Sequence, residues 1–440
     1  MMVRRMRAKQ RSTAEATFHG LPSVAAVLLG ASPAAALQPL EVFIAGARER
    51  NPDAQQARAN LAEQNALADS SLGTHLPGVS VKGTYYRNQY ELKLSLPMPA
   101  EQAISIQPND QWIGNATLSV PLVDLAGFRR TRAARTNAES SERTLAATGL
   151  AVEGQTVQDY YQLLANLALV TTAQNYLEVS RENLRLTEAK LRAGAATRLD
   201  VDRAQADVET QVQQLAAAKL QVALAARDLQ STTSIAPDLS STVEIFDDLH
   251  SEPDLSTFEA DLPNVPSVTA AAAATRAAQQ QADAAKLALL PAIAGSFTEF
   301  ATNAPGFEPS RWYYQAAISA TWAFDLTYVA NIRGSDASAA AAQARELKAR
   351  LNAGDAIHRY WNTVLADIAQ SRSARAGRDA SVHAAEQARV QYQAGTATQL
   401  DLLQAQRDAF RAEVTRIQND ANLLNARAQL LLSAGRSLLR

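Results

Sequence analysis

Apolar positions recur every seventh residue in three stretches of this chain. The first series is Leu163, Val170, Leu177, Leu184 and Leu191. The second is Val201, Val208, Leu215, Val222 and Leu229, and the third is Leu403, Phe410, Ile417, Leu424 and Leu431. Sustained heptads predict long helices that pack against neighbours along their length. The intervening seam positions are small (Ala173, Ser180, Thr187), and the alanine-rich background favours helix and close approach. Residues 129–192 contain no proline. As one helix they would span about 95 Å at ~1.5 Å per residue. No globular core needs that length, so a rod or tube is expected.

A second rhythm has period two. In residues 112–122, Trp112, Gly114, Ala116, Leu118, Val120 and Leu122 alternate with Gln111, Asn115, Thr117 and Ser119. In 312–324, Trp312, Tyr314, Ala316, Ile318, Ala320, Trp322 and Phe324 alternate with Gln315, Ser319 and Thr321. Segment 79–86 repeats the pattern, with Val79, Val81 and Tyr85 opposite Ser80, Lys82 and Thr84, and segment 292–300 repeats it more weakly. Alternation over about ten residues with aromatics near the ends predicts membrane β-strands. Four strands cannot close a barrel, because the smallest outer-membrane barrels have about eight. An open sheet in lipid would leave backbone groups unsatisfied, so several chains must contribute.

The two rhythms occur in the same order twice. "AGAATRLD" at 193–200 recurs as "AGTATQLD" at 394–401, with Gly194 and Gly395 lying 201 residues apart. Paired prolines (Pro52 and Pro77; Pro266 and Pro291) bracket an alanine-rich stretch in each half. A repeat this long is one duplicated module, not a solenoid unit. Within the repeated octet, glycine suits a left-handed residue that ends a helix. Thr197 and Thr398 can cap the next helix, with Asp200 and Asp401 at its third position. Each copy therefore predicts a tight reversal between two long antiparallel helices. The expected division is 1–36 signal peptide, 37–233 first repeat, 234–263 an acidic, proline-containing linker, and 264–440 second repeat.

Composition removes most other functions. The 440 residues carry a formal charge of −2, with no basic excess to recruit nucleic acid and no acidic tail. There are no cysteines, so thiolate metal sites, thiol nucleophiles and cysteine lipidation are excluded. The five histidines are scattered, none at ligand spacing, and beyond the first few residues the only methionine is Met98. No metal or cofactor is expected, and no enzyme signature occurs in a credible context. Asp124 and Asp325 are expected to cap helices after strands, and His358 to lie at a helix interface. Arg4, Arg5, Arg7, Lys9 and Arg11 precede the apolar run "LPSVAAVLLGA" and an A-x-A site, which reads as a secretory signal cleaved after Ala36. No later run of about 18 apolar residues predicts a membrane helix.

The G-x-x-T-x-L-D tips, the Leu76–Pro77 and Leu290–Pro291 steps, the "SVPLVD" strand end and the duplication together resemble the TolC family of outer-membrane efflux proteins. The resemblance covers essentially the whole mature chain. It implies a mainly α fold with membrane β: a homotrimer whose chains each give four strands to a twelve-stranded β-barrel and two long helical hairpins to a periplasmic α-barrel tunnel. It further implies a passive exit duct in the outer membrane for an efflux or type I secretion system, joined through a periplasmic adaptor to an inner-membrane pump that chooses the cargo. Gly194, Thr197, Leu199, Gly395, Thr398 and Leu400 map onto the adaptor-docking tips. Asp401 maps onto an aperture aspartate that three-fold symmetry would turn into a carboxylate ring, and such rings favour cations. Asp200 is its counterpart in the first copy. Two positions depart from the best-known member: a second aperture aspartate there is Gln404 here, and an arginine of the closed lock is Ala397. Tyr392 does match a tyrosine of the second tip. The competing reading is a periplasmic coiled-coil adaptor or scaffold without a membrane barrel, which would not require two equivalent hairpins.

Overall fold

The computed structural model describes residues 37–96, 102–239 and 245–439. The signal segment expected at 1–36 lies outside them, as does part of the expected linker. Helix α1 (Leu40–Arg50) leads into α2 (Pro52–Gly73), followed by strands β1 (Gly78–Arg87), β2 (Leu92–Leu96), β3 (Gln102–Gln107) and β4 (Asp110–Val123). Then come α3 (Leu125–Arg192) and α4 (Arg198–Thr233). A short α5 (Leu255–Glu259) and a 3₁₀ turn precede α6 (Pro266–Leu287), β5 (Ala292–Thr302), β6 (Trp312–Thr321), α7 (Leu326–Ala394) and α8 (Gln399–Ser433).

Local chemistry sets these boundaries. Pro52 and Pro266 open α2 and α6, where proline loses no intrahelical bond. Asp124 caps α3 by accepting the Gly127 amide at 2.7 Å. Asp325 caps α7 by accepting the Thr327 amide at 2.7 Å and the Tyr328 amide at 3.3 Å. A Cβ on Gly127 would fall 2.3 Å from the Asp124 carboxylate and 2.4 Å from the His75 ring. Glycine therefore lets the strand-to-helix corner close around His75, which stacks on Phe128.

The main sheet has the order β1-β4-β5-β6, all antiparallel. Helices contact one another in the matching order α2-α3-α6-α7. Each strand is continuous with the helix of the same rank, so one lateral order runs through both layers. It leaves the same free borders in each: β1 and α2 on one side, β6 and α7 on the other. Beyond the reach of α6 and α2, α4 returns along α3 and α8 along α7. Among the described residues, no helix is long and apolar enough to cross a membrane.

The apolar core sits where the long helices change partners. Phe43, Leu163, Leu229, Ile245 and Ile417 form one buried cluster from α1, α3, α4, the linker and α8. Phe258, Ile357, Val364, Leu423 and Leu430 form another from α5, α7 and α8. The linker is thus not a mere tether, since Ile245 and Phe258 are buried in these clusters.

Three expectations need correction. Trp322 and Phe324 lie beyond β6, which ends at Thr321, because the Trp322 indole donates to the Leu289 carbonyl at 3.0 Å and Asp325 begins the next cap. The β2–β3 hairpin was not anticipated, although "LKLSL" and "AISI" alternate with period two. The heptad positions of α3 divide, with Leu163 and Leu177 buried and the others less so. Ala173, Ser180 and Thr187 are fully buried, whereas Val170, Leu184 and Leu191 are only half-buried. Small residues face the interface because α3 has neighbours on both sides and the backbones approach closely.

Truncating Ile417 to alanine should cost about 2–5 kcal/mol, and to valine about 0.5–1.5 kcal/mol, because the side chain is 1 % exposed. Thermal melts followed by circular dichroism at 222 nm check this as a graded loss of melting temperature.

Candidate functional site

The two repeated octets form the turns of the hairpins. At the first, Ala195 N donates to Lys190 O at 2.8 Å and Gly194 N to Leu191 O at 3.0 Å. At the second, Thr396 N donates to Gln391 O at 2.9 Å and Gly395 N to Tyr392 O at 3.2 Å. These paired bonds are Schellman motifs, which need a left-handed residue, and Gly194 and Gly395 have φ of +75° and +80°. Nothing lies within 4 Å of a Cβ built at either, so backbone conformation and not space selects glycine.

Each next helix starts with a capping box. Thr197 N donates to Asp200 Oδ2 at 2.9 Å, and Asp200 N returns to Thr197 Oγ1 at 3.2 Å. The pair Thr398 and Asp401 repeats this at 3.0 and 3.2 Å. The threonine hydroxyl and then its backbone amide hold both aspartates below the usual carboxylate range. The copies differ in charge. Arg203 adds to the lowering at Asp200, and Arg198 pairs with Asp202 at 3.5 Å. Among the described residues no such cation stands beside Asp401, which is exposed along with Gln404. Leu199 and Leu400 project into solvent at 56 % and 54 % exposure, leaving an apolar residue at each tip.

Sequence reasoning missed what ties the hairpins together behind the tips. Tyr392 is buried, its hydroxyl is 3.2 Å from Thr187 Oγ1, and the Lys190 ammonium lies 3.8 Å above its ring. Lys190 also donates to the Tyr392 carbonyl. Thr187 donates to Gln399 Oε1 at 3.2 Å, Asn183 to Gln406 Oε1 at 2.5 Å, and Ser180 to Asp207 Oδ2 at 2.7 Å. Arg407 completes the seam on Asp207 Oδ1 at 3.1 Å. Further along, the fully buried Asp420 receives Ser371, Arg375 and Arg416. Near the tips the interface between hairpins thus carries a run of hydrogen bonds beside apolar contacts such as Tyr176 on Phe410, while farther away the apolar clusters dominate and Gln429 donates to the Gly154 carbonyl at 2.8 Å.

Two other groups resolve as structural. His358 Nε2 is 2.8 Å from Glu259 Oε1 and joins α7 to α5. Asp247, Asp248 and His250 bring ligand atoms within 4.8 Å of one another, a proximity that the residue spacing did not suggest. The Arg427 guanidinium occupies their midst, with Nη1 2.7 Å from His250 Nε2 and Nη2 3.2 Å from Asp247 Oδ1. The group anchors the linker to α8.

The sheet has two chemically distinct faces. Register aligns Val79, Leu118, Phe297 and Ala316 in one row, and Val81, Ala116, Glu299 and Tyr314 in the next. Val79, Val81, Tyr85, Trp112, Trp312, Tyr314 and Ile318 on this face are exposed. Ser80, Lys82, Asn115, Thr117, Ser119, Thr298 and Gln315 occupy the other face.

Comparison with known proteins locates this architecture. The family model described as outer membrane efflux protein matches residues 43–233 and 259–436. No curated protein matches the chain. Solved structures share the fold at low identity. The outer-membrane channel OprN superposes with TM-score 0.78 at 22 % identity, over 90 % of each chain. The Campylobacter jejuni CmeC outer membrane channel gives 0.77 at 17 %, over 91 % of this chain and 86 % of that one. The open state of the Neisseria gonorrhoeae MtrE outer membrane channel gives 0.73 at 19 %, over 91 % and 89 %.

The Thr398–Asp401 box contributes fully above about pH 4, the ordinary carboxylate value, and is lost as pH falls through the lowered value. At neutral pH, Thr398→Val should weaken the start of α8 by about 1 kcal/mol. Hydrogen exchange at the Asp401 and Leu402 amides should rise roughly fivefold, while Leu400→Ser leaves it unchanged.

Proposed function

The chain belongs to the outer membrane efflux protein family, and from that premise we propose that it works as a homotrimeric exit duct coupled to a periplasmic adaptor and an inner-membrane pump. The chain is an outer-membrane efflux channel with a periplasmic helical tunnel; the adaptor reading is not favoured. The family is one of passive channels, and its members act with adaptor and pump partners.

One observation carries the assembly. The borders left free in the sheet and in the helical layer are the same pair, β1 with α2 and β6 with α7. Unlike edges on opposite sides favour head-to-tail contacts, which close into a ring when the rotation allows. Two copies would make eight strands, a barrel whose interior side chains fill. Three copies make twelve and leave a polar lumen lined by Lys82, Asn115, Thr117 and Gln315. In this reading the chain is two modules, 37–233 and 264–440, joined by 234–263.

Each chain then supplies two tips and the trimer six. We assign the apolar Leu199 and Leu400, with Gly194, Thr197, Gly395 and Thr398 holding them, to the adaptor contact. The exposed Asp401, free of a neighbouring arginine, suits the aperture ring, with Gln404 beside it. Asp200, close to Arg203, suits support of the first turn. The bond between Lys190 and Tyr392 offers a closure lock where Ala397 supplies none. A polar seam can exchange its hydrogen bonds for water at small net cost, so the tips can part while the apolar half stays joined.

In planar bilayers, Asp401→Ala should abolish cation selectivity, and Asp200→Ala should change it little. Equal effects would remove the assignment of unequal roles. Lys190→Ala should raise the open probability at zero voltage, and Thr398→Trp should abolish efflux while assembled trimers still reach the outer membrane.

A further inference from the structure

The polar face of the sheet carries charge of one sign only. Register aligns Lys82, Asn115, Phe300 and Tyr313 in one row across its four strands. Every other position on this face of β1, β4, β5 and β6 is a neutral residue. The charged residues Arg87, Asp110 and Glu299 lie on the opposite face, where Arg87 pairs with Asp110. Lys82 is exposed, and among the described residues no hydrogen bond or ion pair engages it. It lies midway along β1 (Gly78–Arg87), which is midway up the barrel wall and away from either rim.

In a trimer, three-fold symmetry sets the three Lys82 side chains at one height. Twelve strands ~4.8 Å apart and tilted by about 45° give a wall radius of about 13 Å. Each lysine carries its charge inward from that wall on a stem of four methylenes. A solute on the axis therefore passes within about one Debye length (~10 Å at 0.1 M salt) of all three ammonium groups. No carboxylate on this face offsets them among the described residues, and low-dielectric walls focus the field.

Resting on the trimeric reading, we propose that Lys82 is the selectivity residue of the barrel: the ring of three favours small anions, in opposition to the Asp401 ring at the tips. Rings of Lys or Arg act in this way in anion pores. The two rings lie in series on one path. When the tips part, the Asp401 carboxylates draw away from the axis, while the hydrogen-bonded barrel keeps its radius. The preference that remains in the open duct is that of Lys82, so small carboxylates and phosphates are the solutes it passes most readily.

The test measures reversal potentials of the trimer in planar bilayers across a KCl gradient. Asp401→Ala serves as the parent, because it removes the opposing ring. Near 0.1 M salt, adding Lys82→Gln should lower the ratio of chloride to potassium permeability by about twofold or more, and Lys82→Glu should lower it further. At 1 M, where the Debye length is ~3 Å, the difference should vanish. Equal ratios for the parent and Lys82→Gln at low salt overturn the assignment. A second measurement examines the face itself. In this chain without native cysteine, Lys82→Cys should react with a membrane-impermeant sulfonate thiol reagent, and Val81→Cys should not. The reverse pattern overturns the assignment of lumen and lipid faces, and the selectivity role with it. Reaction at Lys82→Cys with unchanged selectivity overturns the role of the charge alone. A parent that forms no channel removes the trimeric duct itself.

Discussion

A sheet that faces lipid on one side cannot leave its edges open. Each unpaired backbone group in hydrocarbon costs several kcal/mol, and β1 and β6 each present a row of them. In the proposed assembly that demand is met by further copies of the chain. The order β1-β4-β5-β6 puts unlike edges at the two sides. The helices inherit the order because every strand of the main sheet is continuous with one. A ring closed at the sheet is therefore closed at the helices too, and one lateral arrangement serves membrane and periplasm.

The helical layer divides the work along its length. Where α1, the linker and α5 cross the long helices, Phe43, Leu163, Ile357, Ile417 and Leu423 are fully or nearly fully buried. Toward the tips the same helices meet through Thr187, Asn183, Asp207, Gln399 and Gln406. Apolar burial has no substitute in water, so the first region stays assembled. The second adds to its apolar contacts a run of hydrogen bonds that water can replace. The buried Asp420 cluster stands between the two and binds α7 to α8.

Much of this was legible in the sequence where one residue type has one physical use. Glycine where a left-handed residue is needed, threonine three residues before aspartate, and proline at a helix start each specify a turn by local chemistry alone. Period-two alternation located the four sheet strands, with one end misjudged because Trp322 continues the rhythm after the backbone has left the sheet. The seam was harder. Leu163 and Leu177 are buried as heptad spacing predicts, yet Val170, Leu184 and Leu191 are half-buried beside the fully buried Ala173, Ser180 and Thr187, because a helix with neighbours on both sides also buries whatever permits the closest approach. Lys190 was invisible: its role depends on Tyr392, 202 residues away, and nothing in the local pattern marks the pair.

The central claim, that unlike sheet edges of neighbouring chains pair to close a ring, is tested most directly by disulfide trapping. The natural chain has no cysteine, so one can be placed at Val81 on β1 and a second in turn at Trp312, Tyr314, Ala316 or Ile318 on β6. Within one chain these strands are three spacings apart, roughly 14 Å, too far for a disulfide. Oxidation in the membrane should give covalent trimers from at least one pair and no species larger than a trimer. Monomers from every pair, or a ladder without an upper limit, would contradict the account.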